Sequence, residues 1–122
     1  MQWYLNPGAP IAPVRHEVRR YFAPRVSEDA LYPIEVIVGE LLANVANHTT
    51  SGASIDVAWV DDTPILTVVD AGEGYEPVEM AELDFEAGSP MGLWLVQQLA
   101  DDVRFTRGPR GGTTVTVTLR VV

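Results

Sequence analysis

Residues 68–77 read VVDAGEGYEP and combine a buried-strand pattern with an unusual loop. An apolar run ends in the carboxylate of Asp70, and Gly72 and Gly74 follow at alternate positions. A plain turn needs one glycine at most. Two glycines after an acid that closes a hydrophobic run indicate that the main chain approaches another group closely, in torsions that other residues avoid. A simple glycine turn is the plainer interpretation of the same residues.

The composition favours a single soluble globular domain over residues 1–122. The chain is 47% hydrophobic and 20% charged, and its length suffices for one core. It contains no cysteine. We also find no apolar run long enough to span a bilayer and no signal peptide, so we expect a cytoplasmic protein without a membrane partner.

The net charge of −9 is unevenly distributed along the chain. There is no lysine, and the eight arginines all lie before residue 26 or after residue 103. Because nucleic-acid binding needs a dense cationic surface, nucleic acid is a poor candidate partner. Arg15, Arg19 and Arg20 in the first predicted helix fit a protein contact better, and a solvated helix face is an equally good explanation.

Hydrophobic spacing predicts helices at residues 12–23, 33–47 and 92–100. It predicts strands at residues 2–5, 54–60, 65–69, 103–107 and 114–121, with a hairpin turn at residues 61–64. Pro33 is placed at the first position of the main helix, where proline is tolerated. Helices and hairpins are mixed rather than alternating as strand–helix units. The predicted fold class is therefore α/β, a two-layer sandwich with a mixed, mainly antiparallel sheet and helices on one face.

The main predicted helix carries polar residues at four-residue spacing, so Glu40, Asn44 and His48 share one face. A solvated side is the usual meaning of such a face. However, an amide oxygen can ligate a hard divalent cation, and a carboxylate one turn away can deprotonate a nucleophile. We interpret His48 as structural.

Four motifs in order resemble those of the GHKL ATPase superfamily. Residues 40–48 (ELLANVANH) resemble its asparagine box, and residues 70–74 (DAGEG) match its D-x-G-x-G motif. Residues 88–96 (GSPMGLWLV) resemble its second glycine box, and Gly112 with Thr113 resembles its closing G-T. The resemblance covers residues 33–119 and implies the Bergerat, histidine-kinase-like ATPase fold, with ATP and Mg²⁺ as cofactors.

The resemblance also implies how the adenine is held. Asp70 would accept a hydrogen bond from the adenine amino group, and Thr113 would support the base through its hydroxyl. Gly72 and Gly74 would let the main chain pass close to the purine.

For the phosphates, the resemblance implies that Asn44 is the magnesium ligand. Free N–H groups at the start of the last helix, at Gly92 and Leu93, would receive phosphate oxygens, with Gly88 in the same glycine box. If phosphoryl transfer occurs, Glu40 is the expected base for the acceptor hydroxyl.

A GHKL domain this compact is similar to the bacterial anti-sigma-factor serine/threonine protein kinases. That likeness implies a regulator that binds a sigma factor and phosphorylates a Ser or Thr of an antagonist protein, with a homodimer as a further assembly. The segment matching the ATP lid, residues 75–87, holds five acids and no cation. This favours the alternative, a nucleotide-binding module that sequesters a partner without phosphoryl transfer. The ATPase part of a histidine kinase fits less well, because no dimerising helical hairpin is present.

Overall fold

The computed structural model describes residues 1–48, 52–70, 91–107 and 112–121, without the side chains of residues 47, 48, 91–93 and 107. Each predicted helix and strand is found, with shifts at its ends that are largest at the start of the main helix. The predicted lid lies outside these ranges, as do residues 71–74 and 88–90 of the two glycine motifs. In chain order, the elements are β1 (Gln2–Leu5), α1 (Ala12–Phe22), α2 (Glu28–His48), β2 (Ala53–Val60), β3 (Thr63–Asp70), α3 (Met91–Leu99), β4 (Asp102–Arg107) and β5 (Thr113–Thr118).

The five strands form one sheet in the order β1-β2-β3-β5-β4, and each of its four pairings is antiparallel. Alternate residues of the three central strands point into the core and are at most 3% exposed. The residues between them are half-buried or exposed, so the helices cover one face only. The predicted α/β class and mainly antiparallel sheet are confirmed. The inward residues are Ile55, Val57, Leu66, Val68, Val115 and Val117.

Helix α2 begins at Glu28, so the prediction that the main helix starts at Pro33 was wrong. Ser27 precedes the helix, and its hydroxyl oxygen accepts a hydrogen bond from the N–H of Ala30 at 3.2 Å. This capping satisfies one of the free N–H groups of the first turn. Ala30 and Leu31 are also buried, which stabilises that turn against the loss of one helical hydrogen bond at Pro33. No helix in the described ranges has the length and hydropathy needed to cross a membrane.

The β2–β3 hairpin has a shorter loop than the sequence predicted. Val60 pairs with Thr63, which leaves only two residues in the connection. The first of them, Asp61, has a φ of 55°, a left-handed conformation that Asp tolerates better than most residues. Pro64 lies in the strand instead of the turn, and its carbonyl accepts a hydrogen bond from the N–H of Leu119 at 3.0 Å.

An aromatic cluster fixes the C-terminal end of α1 to the sheet. The indole Nε1 of Trp59 donates a hydrogen bond to the Tyr21 hydroxyl at 2.8 Å. The Tyr21 ring meets Trp3 edge to face, with centroids 5.5 Å apart, and the Arg25 guanidinium lies 4.1 Å from the Tyr21 ring centroid. This attachment holds α1 alongside α2, where the two helices enclose a groove.

Candidate functional site

The inner face of the sheet changes from apolar to polar in its last row of residues. Asp70 continues the inward series of β3 and pairs with Ala53 of β2. Val69 pairs with Thr114, so Thr113 lies one position further along β5, opposite Asp70. Asp70 is 2% exposed and Thr113 is 1% exposed. We call Ala53, Asp70 and Thr113 the terminal row.

The terminal row has the chemistry of a base-recognition site. Asp70 places an almost fully buried carboxyl group at the end of a strand. A carboxylate fixed there is a rigid acceptor for an exocyclic amino group, and the Thr113 hydroxyl can both donate and accept. Ala53 contributes only a methyl group beside them. The structure thus brings together the two residues predicted to hold adenine.

Asn44 lies on α2 and is 8% exposed, between the buried Leu41 and Val45. Among the described residues, its buried amide nitrogen Nδ2 has no hydrogen-bond partner. Leaving such a donor unsatisfied costs about 1–3 kcal/mol. The amide nitrogen can donate to a phosphate oxygen while the amide oxygen ligates a hard cation, so Asn44 fits Mg-ATP.

Glu40 lies one turn before Asn44 but at a different depth. It is half-buried, and it lines an open groove of about 420 Å³ between α1 and α2. The Glu40 carboxylate is therefore more accessible to solvent than the Asn44 amide. We call this the α1–α2 groove, and its lining residues are Ile11, Arg15, Tyr32, Glu35, Val36, Gly39, Glu40 and Ala43.

The remaining predicted site residues are only partly within the described ranges. Gly92 and Leu93 are the second and third residues of α3, so their prediction at the start of a helix is confirmed for the backbone. The N–H groups of a first helical turn have no partner within the helix and bind anions readily. Gly72, Gly74 and Gly88 lie outside the described residues, as does the side chain of His48.

The sequence interpretation did not foresee that the α1 arginines would separate. Arg19 pairs with Glu35 at 3.1 Å, and Arg20 pairs with Glu17 at 3.2 Å. Arg15 instead lies in the α1–α2 groove beside Glu40. Helical spacing placed Arg15 and Arg19 on one face, but it could not show which residues of α2 each would meet.

Comparison with known proteins agrees with this geometry. A family model described as the histidine kinase-like ATPase domain matches residues 7–119. No curated protein sequence gives a significant match. A chain in the crystal structure of the SiaB–SiaC complex from Pseudomonas aeruginosa is similar with a TM-score of 0.63 and 13% identity, covering 98% of this chain and 88% of that one. The Acinetobacter baumannii histidine kinase AdeS has a TM-score of 0.57 and 16% identity, over 98% of this chain and 68% of its own.

At such low identities the two similar structures show the fold alone. The family model, in contrast, covers nearly the whole chain. The four motifs, the one-sided antiparallel sheet and the family match agree with one another. The chain therefore belongs to the histidine kinase-like ATPase domain family, the GHKL-type domains that bind ATP.

Proposed function

We propose that this chain is an ATP-binding regulator of the anti-sigma-factor kinase kind, which phosphorylates a Ser or Thr of an antagonist protein using Mg-ATP. The observation that carries the proposal is the set of buried polar side chains at one end of an otherwise apolar core. Asp70 and Thr113 lie opposite each other, and Asn44 has a buried amide nitrogen without a partner among the described residues. A folded chain retains an unsatisfied group such as the Asn44 amide nitrogen at a cost in stability when it serves a ligand.

In this proposal each polar residue has one task toward the nucleotide. Asp70 accepts a hydrogen bond from the adenine amino group, and Thr113 orients the base through its hydroxyl. Asn44 holds Mg²⁺ with its amide oxygen. The N–H groups at Gly92 and Leu93 in the first turn of α3 face phosphate oxygens, where the helix dipole favours negative charge.

Glu40 is the proposed base. ATP supplies the phosphoryl group and leaves as ADP when the acceptor oxygen bonds to the terminal phosphorus. Glu40 takes the proton of the acceptor hydroxyl at its carboxylate, and its position in an open groove is compatible with a hydroxyl on another protein. The rest of the work is positioning and charge stabilisation, since phosphoryl transfer needs little covalent help from the protein.

The proposed partners are a sigma factor and its antagonist protein, with a homodimer as a further assembly. One of the structural neighbours is itself part of a two-protein complex, that of SiaB with SiaC. The exposed arginines Arg19 and Arg20 on α1 offer a cationic surface on a chain of net charge −9, which suits a partner with acidic side chains. A cytoplasmic location follows from such partners.

The alternative is a regulatory module that binds nucleotide and sequesters a partner without transfer. It is favoured by the composition of residues 75–87, which contain five acids and no basic side chain. An acidic lid would repel the charge that develops on a transferred phosphoryl group.

Two measurements test the proposal and separate it from the alternative. Thermal unfolding with Mg-ATP at ~100 times its dissociation constant should show about 2.7 kcal/mol of added stability. No shift at millimolar nucleotide would refute nucleotide binding. Incubation with labelled ATP, Mg²⁺ and a candidate antagonist should label the antagonist, and Glu40→Gln should remove the label while ATP still binds. Nucleotide binding without any labelling would support the module.

A further inference from the structure

The proposed nucleotide site lacks an obvious cation for the terminal phosphate. Between residues 26 and 103 the only basic side chain in the sequence is His48, at the end of α2. A helix N-terminus carries a partial positive charge of roughly half an elementary charge. Together with one Mg²⁺, it leaves part of the negative charge of a triphosphate without compensation. A cation from elsewhere in the chain has to approach the site if the charge is to be offset by protein.

Arg15 extends from α1 onto α2. It crosses α2 at Gly39, where a Cβ atom would lie 3.3 Å from Arg15 Cδ and 3.6 Å from Arg15 Nη1. The absence of a side chain at Gly39 therefore lets the guanidinium lie directly against α2, at the residue before Glu40. Arg15 and Glu40 both line the α1–α2 groove.

Arg15 also differs from the other arginines in its contacts. Among the residues that the structure describes, its guanidinium forms no ion pair and no hydrogen bond, although Glu35 and Glu40 line the same groove. A planar guanidinium carries five N–H donors that match phosphate oxygens. The other arginines with described side chains all have partners: Arg19, Arg20, Arg25, Arg104 and Arg120.

We propose that Arg15 binds the terminal phosphate of a bound nucleoside triphosphate and balances its charge beside Glu40. This inference rests on the proposed function, because it takes Asn44 as the ligand of the phosphate-bound Mg²⁺. Asn44 is one helical turn from Glu40, about 6 Å along the axis, and Arg15 crosses the helix at the residue before Glu40. A diphosphate ends one phosphate earlier, so Arg15 distinguishes ATP from ADP.

Two other roles for Arg15 make different predictions. If it only offsets the negative charge of Glu35 and Glu40, removing it changes ATP and ADP affinity by the same factor. If it only contacts a partner protein, neither affinity changes. The ratio of the two affinities therefore isolates phosphate recognition, and it requires no knowledge of the partner.

The experiment compares Arg15→Gln with Arg104→Gln, using Mg-ATP and Mg-ADP as probes in isothermal titration. Arg104 forms an exposed ion pair with Asp102 on β4. The Arg104→Gln variant removes the same charge as Arg15→Gln, so it controls for the change in net charge. We expect Arg15→Gln to weaken Mg-ATP binding about tenfold and Mg-ADP binding less than about twofold. Arg104→Gln should leave the ratio unchanged. Arg15→Lys keeps the charge but loses the planar set of guanidinium donors, so its ATP-to-ADP affinity ratio should lie between those of the two glutamine variants.

Each outcome decides one of the two proposals. An unchanged ATP-to-ADP ratio in Arg15→Gln, with Mg-ADP binding intact, overturns the role of Arg15 and leaves the proposed function standing. A wild-type chain that binds neither nucleotide overturns both. Thermal unfolding without nucleotide verifies that Arg15→Gln is folded, and if it is not, the ratio measured for Arg15→Lys decides the question by the same criterion.

Discussion

Two regions of the same sheet face are equally buried and opposite in chemistry. In the row of Ile55, Val68 and Val115, each side chain is at most 3% exposed, and its burial stabilises the fold by about 1.5–3 kcal/mol. In the terminal row, Asp70 and Thr113 are buried to the same degree, but the groups that they bury are polar, and burying a polar group costs free energy unless it is hydrogen-bonded. Burial alone therefore does not measure stabilisation. The apolar core ends one row before the sheet does.

The largest expected effect comes from breaking an apolar row. Ile55→Ala should lower the free energy of unfolding by about 2–5 kcal/mol, because it leaves a cavity between the sheet and the helices that cover it. The matched control is Ile65→Ala on the half-buried outer face of β3, which should cost clearly less. Denaturant unfolding of both variants gives the comparison. Equal losses would mean that the two faces are packed alike.

The next effect concerns ligand binding at the terminal row. Asp70→Asn should abolish most of the ~2.7 kcal/mol that Mg-ATP adds at ~100 times its dissociation constant. Unfolding without nucleotide checks that the variant is folded, since the substitution keeps the size of the side chain and removes its charge. Asp56→Asn, on the outer face of β2, is the control and should keep the full nucleotide shift in a melting experiment. A full shift in Asp70→Asn would remove the adenine assignment.

A smaller effect is expected at the polar residue of α2. Asn44→Leu replaces a buried amide whose nitrogen has no partner among the described residues, so it should raise stability without nucleotide by about 1 kcal/mol. The same variant should lose the Mg²⁺-dependent part of ATP binding. Gln97→Leu, the same exchange at an exposed position of α3, should stay within about 0.5 kcal/mol of wild type. Destabilisation by Asn44→Leu would show that the amide serves the fold itself.

The smallest effect is expected at Gly39. Alanine should stabilise α2 by about 0.5–1 kcal/mol, because glycine has the greater conformational entropy in the unfolded chain. The added Cβ would press on Arg15 Cδ at 3.3 Å, so the flexible arginine stem has to move slightly. We expect a small net gain in melting temperature together with a lower ATP-to-ADP affinity ratio. A marked loss of stability would mean that the Arg15 side chain cannot move away from the added methyl group.

Much of this architecture could be predicted from local patterns. Hydrophobic spacing predicted all five strands, and motif order brought Asp70 and Thr113 to one site. The start of the main helix was placed at Pro33 because proline is favoured at first helical positions, but the Ser27 cap begins the helix at Glu28. The burial of that first turn depends on tertiary packing, which no local pattern gives.

The site shows the same limit more sharply. Four-residue spacing put Glu40 and Asn44 on one face of the helix. Periodicity predicts which way a side chain points, but it does not predict how deeply that side chain is buried. Only the packing of α1 shows that Glu40 lies in a groove while Asn44 is buried. The crossing of Arg15 over Gly39 joins residues far apart in sequence, and no local pattern encodes it.

The two-residue hairpin loop has a consequence for evolution at the far end of the sheet. Side chains alternate strictly between faces, so one extra residue at Asp61, if it slipped the pairing of β3 by one place, would turn Asp70 toward solvent. Asp70 is seven residues beyond Thr63, roughly 24 Å away along the strand. Changes in the length of this turn are therefore constrained by the orientation of a residue at the other end of the strand.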